Sequence, residues 1–147
     1  MTHRLVTAAV LILVFSASAL RGEDAQKDLD KFQGTWAVTA LESNGKQVPL
    51  GSVKGTVTFK GDEMVVDGPG FKPTKHRIKL DPSKKPKSLD ATKTSEGNGR
   101  NSLGIYQMEG GEIKLCLPIG LRTERPTDFK SAEGSNLVVM TLKRSKK

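Results

Sequence analysis

The sequence predicts an all-β domain, an eight-stranded antiparallel barrel preceded by one short helix. Three observations carry that expectation. Beyond Gly34 the apolar residues recur with a period of two rather than 3.6. The alternating runs are short and arrive about every ten residues, punctuated by turn pairs such as Asn44-Gly45, Gly61-Asp62 and Gly110-Gly111. No helical pattern separates one run from the next, which excludes a parallel sheet. Eight strands suffice to close a barrel whose interior is filled by side chains or holds one small ligand. Closure also removes exposed sheet edges.

The elements follow in order. Met1-Thr-His-Arg4 is a short basic start, and Leu5 to Phe15 is apolar except for Thr7. Ser16-Ala17-Ser18-Ala19 then places small residues where an export peptidase requires them. Residues 1–19 are therefore expected to be a signal peptide cleaved after Ala19, leaving 20–147 as a single domain in the periplasm or outside the cell. The alternative is an uncleaved anchor, but the apolar run is shorter than the roughly 20 residues a bilayer span needs. Asp24 to Phe32 reads as the short helix, with Asp24 as N-cap, Leu29 and Phe32 as an apolar pair, and Gly34 as terminator. Strands are expected at Thr35–Leu41, Thr56–Phe59, Met64–Asp67, Lys75–Leu80, Ser88–Thr92, Ser102–Met108, Glu112–Leu117 and Asn136–Arg144. Their inward set is Trp36, Val38, Val57, Phe59, Ile78, Leu80, Leu103, Ile105, Ile113, Leu115, Leu117, Val139 and Leu142. Tyr106 and Cys116 fall out of step and are expected to face outward or into a second layer.

The core is lean. After residue 19, Leu, Ile, Val and Phe make up only 28 of 128 residues, which rules out a large multi-layer enzyme core. The formal charge is +8, concentrated at Arg4, at the C-terminal Lys143, Arg144, Lys146 and Lys147, and in a run from Lys72 to Lys87. Nucleic-acid readers interleave such runs with aromatics, and here only Phe71 is near, so no nucleic-acid partner is expected. The run reads instead as solvated lysines on a strand face and a turn. Cys116 is the single cysteine, which excludes an internal disulfide. Its apolar surroundings predict a buried, inert thiol. Lys114, two residues away, leaves an activated thiolate as the alternative.

Little in the chain is arranged for chemistry. His76 is the only histidine after the N-terminal segment, so a histidine metal cluster is impossible, and the residue reads as a surface group. Neither Gly-x-Ser-x-Gly nor His-Glu-x-x-His occurs. The acid pairs Asp62/Glu63, Glu109/Glu112 and Glu124/Asp128 all fall in turns or loops. No catalytic residue, metal or cofactor is expected. The long loop Pro118 to Ser135 is the strongest lead, because loops of this length often serve function. Arg122 and Arg125 offer forked donors for a carboxylate or phosphate. With Asp128 and Tyr106 they are the candidate ligand-binding residues. The structural alternative has Phe129 plugging one barrel end and Arg125 pairing with Asp128 or Glu124.

Gly34-Thr-Trp36, opening the first strand directly after a helix, resembles the Gly-x-Trp signature of lipocalins and their relatives. The resemblance implies a tryptophan packed across the closed barrel end with a basic residue from the last strand, Arg144 or Lys143, on its ring. Such a cation–π stack is worth about 0.5–2 kcal/mol. Over residues 32–144 the chain is also similar to a family of small secreted planctomycete domains of unknown function. The similarity rests on Phe32-Gln-Gly-Thr-Trp36, Asn44-Gly45, Val57-Thr-Phe-Lys-Gly61, Leu80-Asp-Pro-Ser-Lys-Lys-Pro-Lys87, Leu103-Gly-Ile-Tyr106, Ile113-Lys-Leu-Cys116 and Arg125-Pro-Thr-Asp-Phe129. It implies export and a lipocalin-like barrel, and no activity. The expected function is a secreted, non-enzymatic binding module for a small apolar or anionic ligand at the barrel mouth, in a cavity of about 300 Å³ or more. The alternative is an envelope protein-interaction or inhibitor module using the outer loops and basic face. A small cysteine- or carboxylate-dependent enzyme comes third.

Overall fold

The computed structural model describes residues 17–49, 51, 54–95, 99–120 and 124–146. Most of the expected signal peptide, residues 1–16, lies outside them. Helix α1 (Ala17–Phe32) leads into β1 (Gly34–Ser43), β2 (Lys46–Gln47), β3 (Thr56–Lys60), β4 (Glu63–Gly68) and β5 (Phe71–Asp81). Then come β6 (Lys87–Lys93), β7 (Asn101–Glu109), β8 (Glu112–Pro118) and β9 (Leu137–Arg144). From β3 to β9 each strand pairs antiparallel with the next, and β1 joins β3 on one side and β9 on the other. That last pairing closes an eight-stranded antiparallel barrel, as expected from the alternating pattern. The two-residue β2 folds back on the end of β1 through Asn44-Gly45, both with positive φ (51° and 73°). Among the described residues no helix is long and apolar enough to cross a membrane.

The helix starts earlier than its expected cap. It includes Ala17 and runs through Asp24, which therefore does not cap it. Ala, Leu and Arg at 17–21 are strong helix formers, and they outweigh the capping preference of an aspartate further along. Asp24 and Glu23 instead pair with Lys27, at 3.9 and 3.1 Å. Gly34 has a φ of +114°, and a Cβ there would lie 3.1 Å from the Arg144 guanidinium. The positive φ requires glycine at the first position of the Gly-x-Trp pair.

A cluster of buried side chains occupies the barrel core. Phe32 enters from the helix, and Trp36, Phe59, Met64, Leu89, Tyr106, Leu115 and Leu142 surround it, all nearly or wholly buried. On β7 the expected parity is reversed. Tyr106 points inward, and Ile105 belongs to a separate outer cluster with Cys116, Leu137 and Val139, covered by Phe129. The register Ile105↔Cys116↔Val139 aligns these side chains on one face. Leu103 shares that outward side of β7 by alternation. So Leu103, Ile105 and Val139 are not barrel-interior residues. The reason is that β7, β8 and β9 are covered on both faces, by the core within and the long loop without. An apolar run of that kind does not say which face is inside.

Gly104 lies on the inner side between them. A Cβ on it would collide with the Leu117 side chain and come 2.7 Å from the Cys116 carbonyl oxygen. The carbonyl belongs to the β-ladder and cannot withdraw. Gly104→Ala is expected to cost about 3 kcal/mol, the upper end for overpacking. A urea midpoint equal to that of the parent protein would show that the strand pair yields freely.

Candidate functional site

One end of the barrel is sealed by the tryptophan. Trp36 Nε1 donates to the Phe32 carbonyl at 2.6 Å. The Arg144 guanidinium lies 4.5 Å from the indole centre and donates to the carbonyls of Gln33 (2.9 Å) and Lys31 (3.0 Å). Those carbonyls end helix α1 and would otherwise lack partners. Lys143 turns away and pairs with Glu112 at 2.9 Å. Phe32 makes edge contacts with Phe59 and Tyr106, with ring centres 4.9 and 5.3 Å apart.

Beneath this seal lies a buried polar group that the sequence reading missed. Asp28, with its side chain only 7% exposed, accepts from Tyr106 Oη and Lys87 Nζ on the same oxygen, both at 2.8 Å. Lys31 stands 3.7 Å from its other oxygen. Burial alone would raise the Asp28 carboxyl pKa. The bonds from Lys87 and Tyr106 and the charges of Lys87 and Lys31 outweigh it, so the group sits below the usual carboxylate range. The Tyr106 phenol is pushed far up, first by burial and then by its bond to Asp28, and remains a neutral donor. A signal for Asp28 did exist. It precedes Phe32 by four residues and so shares the helix face that carries the apolar pair.

Beside this group, next to the β5–β6 turn, is a cleft of about 340 Å³. It is lined by Pro82, Lys84, Lys85, Pro86, Lys87, Tyr106, Gln107, Met108 and Phe129. Prolines, Met108 and Phe129 give it apolar surface, and three lysines give it positive charge. Lys114, which does not line the cleft, has its ammonium 5.9 Å from the Phe129 ring centre. The cleft lies on the helix side, not at a mouth opposite the tryptophan. Tyr106 and Phe129 are brought together here.

The other sequence-derived candidates are placed differently. Arg122 lies outside the described residues. Asp128 is exposed. Arg125 pairs inside the protein, but with neither Asp128 nor Glu124. Its Nη2 meets Asp90 and its Nη1 the Gly104 carbonyl, both at 2.7 Å. Phe129 covers the outer cluster and does not plug a barrel end. Further along, the buried Ser131 donates through its backbone N and Oγ to Glu42, at 3.1 and 2.8 Å. Those two bonds hold the Glu42 carboxyl below its ordinary range. The loop is thus strapped along the wall at both of these points. Arg125 reaches Asp90, 35 positions away, because the loop folds back over β6 and β7. Arg125→Ala is expected to lower stability by about 1–2 kcal/mol through loss of these half-exposed, charge-assisted bonds. Melting of the variant and its probe binding, measured together, separate a strap from a ligand contact.

The basic run divides in two. On β5, Arg77 approaches Asp62 at 3.4 Å and faces Glu63 across the sheet, while Lys79 faces Asp90. Only the turn lysines Lys84 and Lys85, with Lys87, face the cleft. His76 is not a surface group as expected. It alternates with the inward Ile78 and Leu80, is half-buried, and its Nε2 lies 3.2 Å from Thr74. Burial, and then Lys93, lower its pKa, which favours the neutral ring. Cys116 is wholly buried beneath the strapped loop.

These observations define the class: a small closed antiparallel β-barrel with a buried apolar core, sealed by an indole–guanidinium stack and flanked by a cationic cleft. Comparison of the chain with protein-family models, curated proteins and solved structures finds no match in any of the three.

Proposed function

We propose that this chain is an exported, non-enzymatic binding module for a small ligand with an apolar body and an anionic group. The observation that carries the reading is the cleft between the β5–β6 turn and Phe129, lined by three lysines together with Pro82, Pro86, Met108 and Phe129. Its volume of about 340 Å³ is within the range of small-molecule sites. The barrel interior is occupied by Phe32 and its neighbours, which favours a site on the rim over one in the lumen. The basic start, apolar run and Ala17-Ser-Ala19 support export, and the Trp36–Arg144 stack supports kinship with lipocalin-like barrels. Burial of Cys116 argues against a thiol nucleophile.

The direct experiment titrates the protein with 8-anilinonaphthalene-1-sulfonate, an apolar anion, and with its uncharged parent amine. Saturable binding is expected, stronger for the anion and weakened by salt. Replacing Lys84 and Lys85 together by glutamine should weaken the anion about tenfold and leave the amine unchanged. Absence of saturable binding, or indifference to both lysines, would overturn the proposal. Export is checked by the mass of the protein recovered outside the cytoplasm, expected to begin at Leu20.

A further inference from the structure

Building on that cleft as the ligand site, we infer that Asp28 is an internal competitor for the ligand's anionic group, and that Lys87 is the residue over which they compete. Lys87 belongs to two surroundings at once. It lines the cleft, and its Nζ lies 2.8 Å from Asp28 Oδ2. Its side chain is 41% exposed, while that of Asp28 is 7% exposed. An anion entering the cleft meets Lys87 from the solvent side, and Asp28 holds it from the helix side. An ammonium has three N–H donors, so both can touch it. The charge, however, is shared. Asp28 is buried, so water screens its negative charge poorly, and an arriving anion feels that charge behind Lys87.

A second effect opposes this one. Asp28 also orders Lys87 before the ligand arrives, which saves side-chain entropy on binding. That saving is small here. The Lys87 ammonium already lies 5.8 Å from the Tyr106 ring centre, and the lysine is half-buried at the start of β6, so it is restricted without Asp28. Loss of the buried charge therefore outweighs loss of the ordering. Thermodynamic reciprocity gives the converse: a bound anion weakens the hold of Lys87 on Asp28 and loosens helix α1.

The test is a double-mutant cycle of Asp28→Asn and Lys87→Gln, read with the same sulfonate and its uncharged parent amine. Asparagine keeps the size of the side chain and an acceptor for Tyr106, and circular dichroism verifies the fold of each variant. Asp28→Asn is expected to bind the sulfonate about threefold to tenfold tighter and the amine with unchanged affinity. In the Lys87→Gln background the gain should vanish. In the parent protein, saturating sulfonate should speed amide hydrogen exchange in residues 22–32, and the amine should not. Unchanged or weaker sulfonate binding by Asp28→Asn overturns the inference, as does a gain that survives without Lys87. If the parent protein binds neither probe, the cleft itself fails as the ligand site. If it binds the sulfonate and only the cycle fails, the competition alone is wrong.

Discussion

Replacing Trp36 by alanine should cost about 3–5 kcal/mol, measured as the shift in urea unfolding free energy. The indole is 3% exposed, so the substitution opens a void where helix and barrel meet. It also removes the bond to the Phe32 carbonyl and the ring on which Arg144 lies. Domains of this kind hold only about 5–15 kcal/mol in total, and this one has a lean core, so the variant should be partly unfolded at 37 °C. Arg144→Ala should cost less, about 1–2 kcal/mol, because its guanidinium bonds are exposed and water replaces them. If Trp36→Ala proved as mild as Arg144→Ala, the indole would not be sealing the barrel.

Loss of Asp28 should come next. Asp28→Ala leaves the Tyr106 hydroxyl buried without its acceptor, whereas the part-exposed Lys87 ammonium keeps access to water where it stands. The expected cost is about 2–4 kcal/mol, between that of one unsatisfied hydroxyl and that of a broken buried ion pair. The same group makes stability depend on acid. Its carboxyl pKa is lower folded than unfolded, where it lies near 4. Its contribution is therefore complete above the unfolded value and disappears as the pH falls through the folded one. Glu42, also held low by Ser131, acts in the same direction. Unfolding midpoints between about pH 7 and pH 2 should fall steeply for the parent protein and less steeply for Asp28→Asn. Parallel curves would mean that the carboxylate gains nothing from its partners.

Much of this molecule was legible before any coordinates. The eight barrel strands, the turn at Asn44-Gly45 and the place of Trp36 after a helix all arise from short-range patterns. Arg144 or Lys143 was nominated for the indole only by the resemblance of Gly34-Thr-Trp36 to the Gly-x-Trp signature, and the structure selects Arg144. The failures share a different origin. Ile105 and Tyr106 are neighbouring large side chains, and alternation says only that they face opposite ways. The long loop decides which face is a second core, and that loop is held by Glu42–Ser131 and Asp90–Arg125 contacts spanning 89 and 35 residues. Asp28 was hidden because its burial depends on Lys87 and Tyr106, which lie 59 and 78 positions away.

The amino-acid pattern by itself determined the class of fold and the closed meander, since strand alternation, turn conformations and helix termination are local properties of the chain. The tertiary structure alone decided which wall faces inward on β7, what Arg125 binds, and where apolar surface and lysines meet in a cleft. Those outcomes depend on register between distant strands. Burial then converts that register into energy, by selecting which charged and polar groups must find partners away from water.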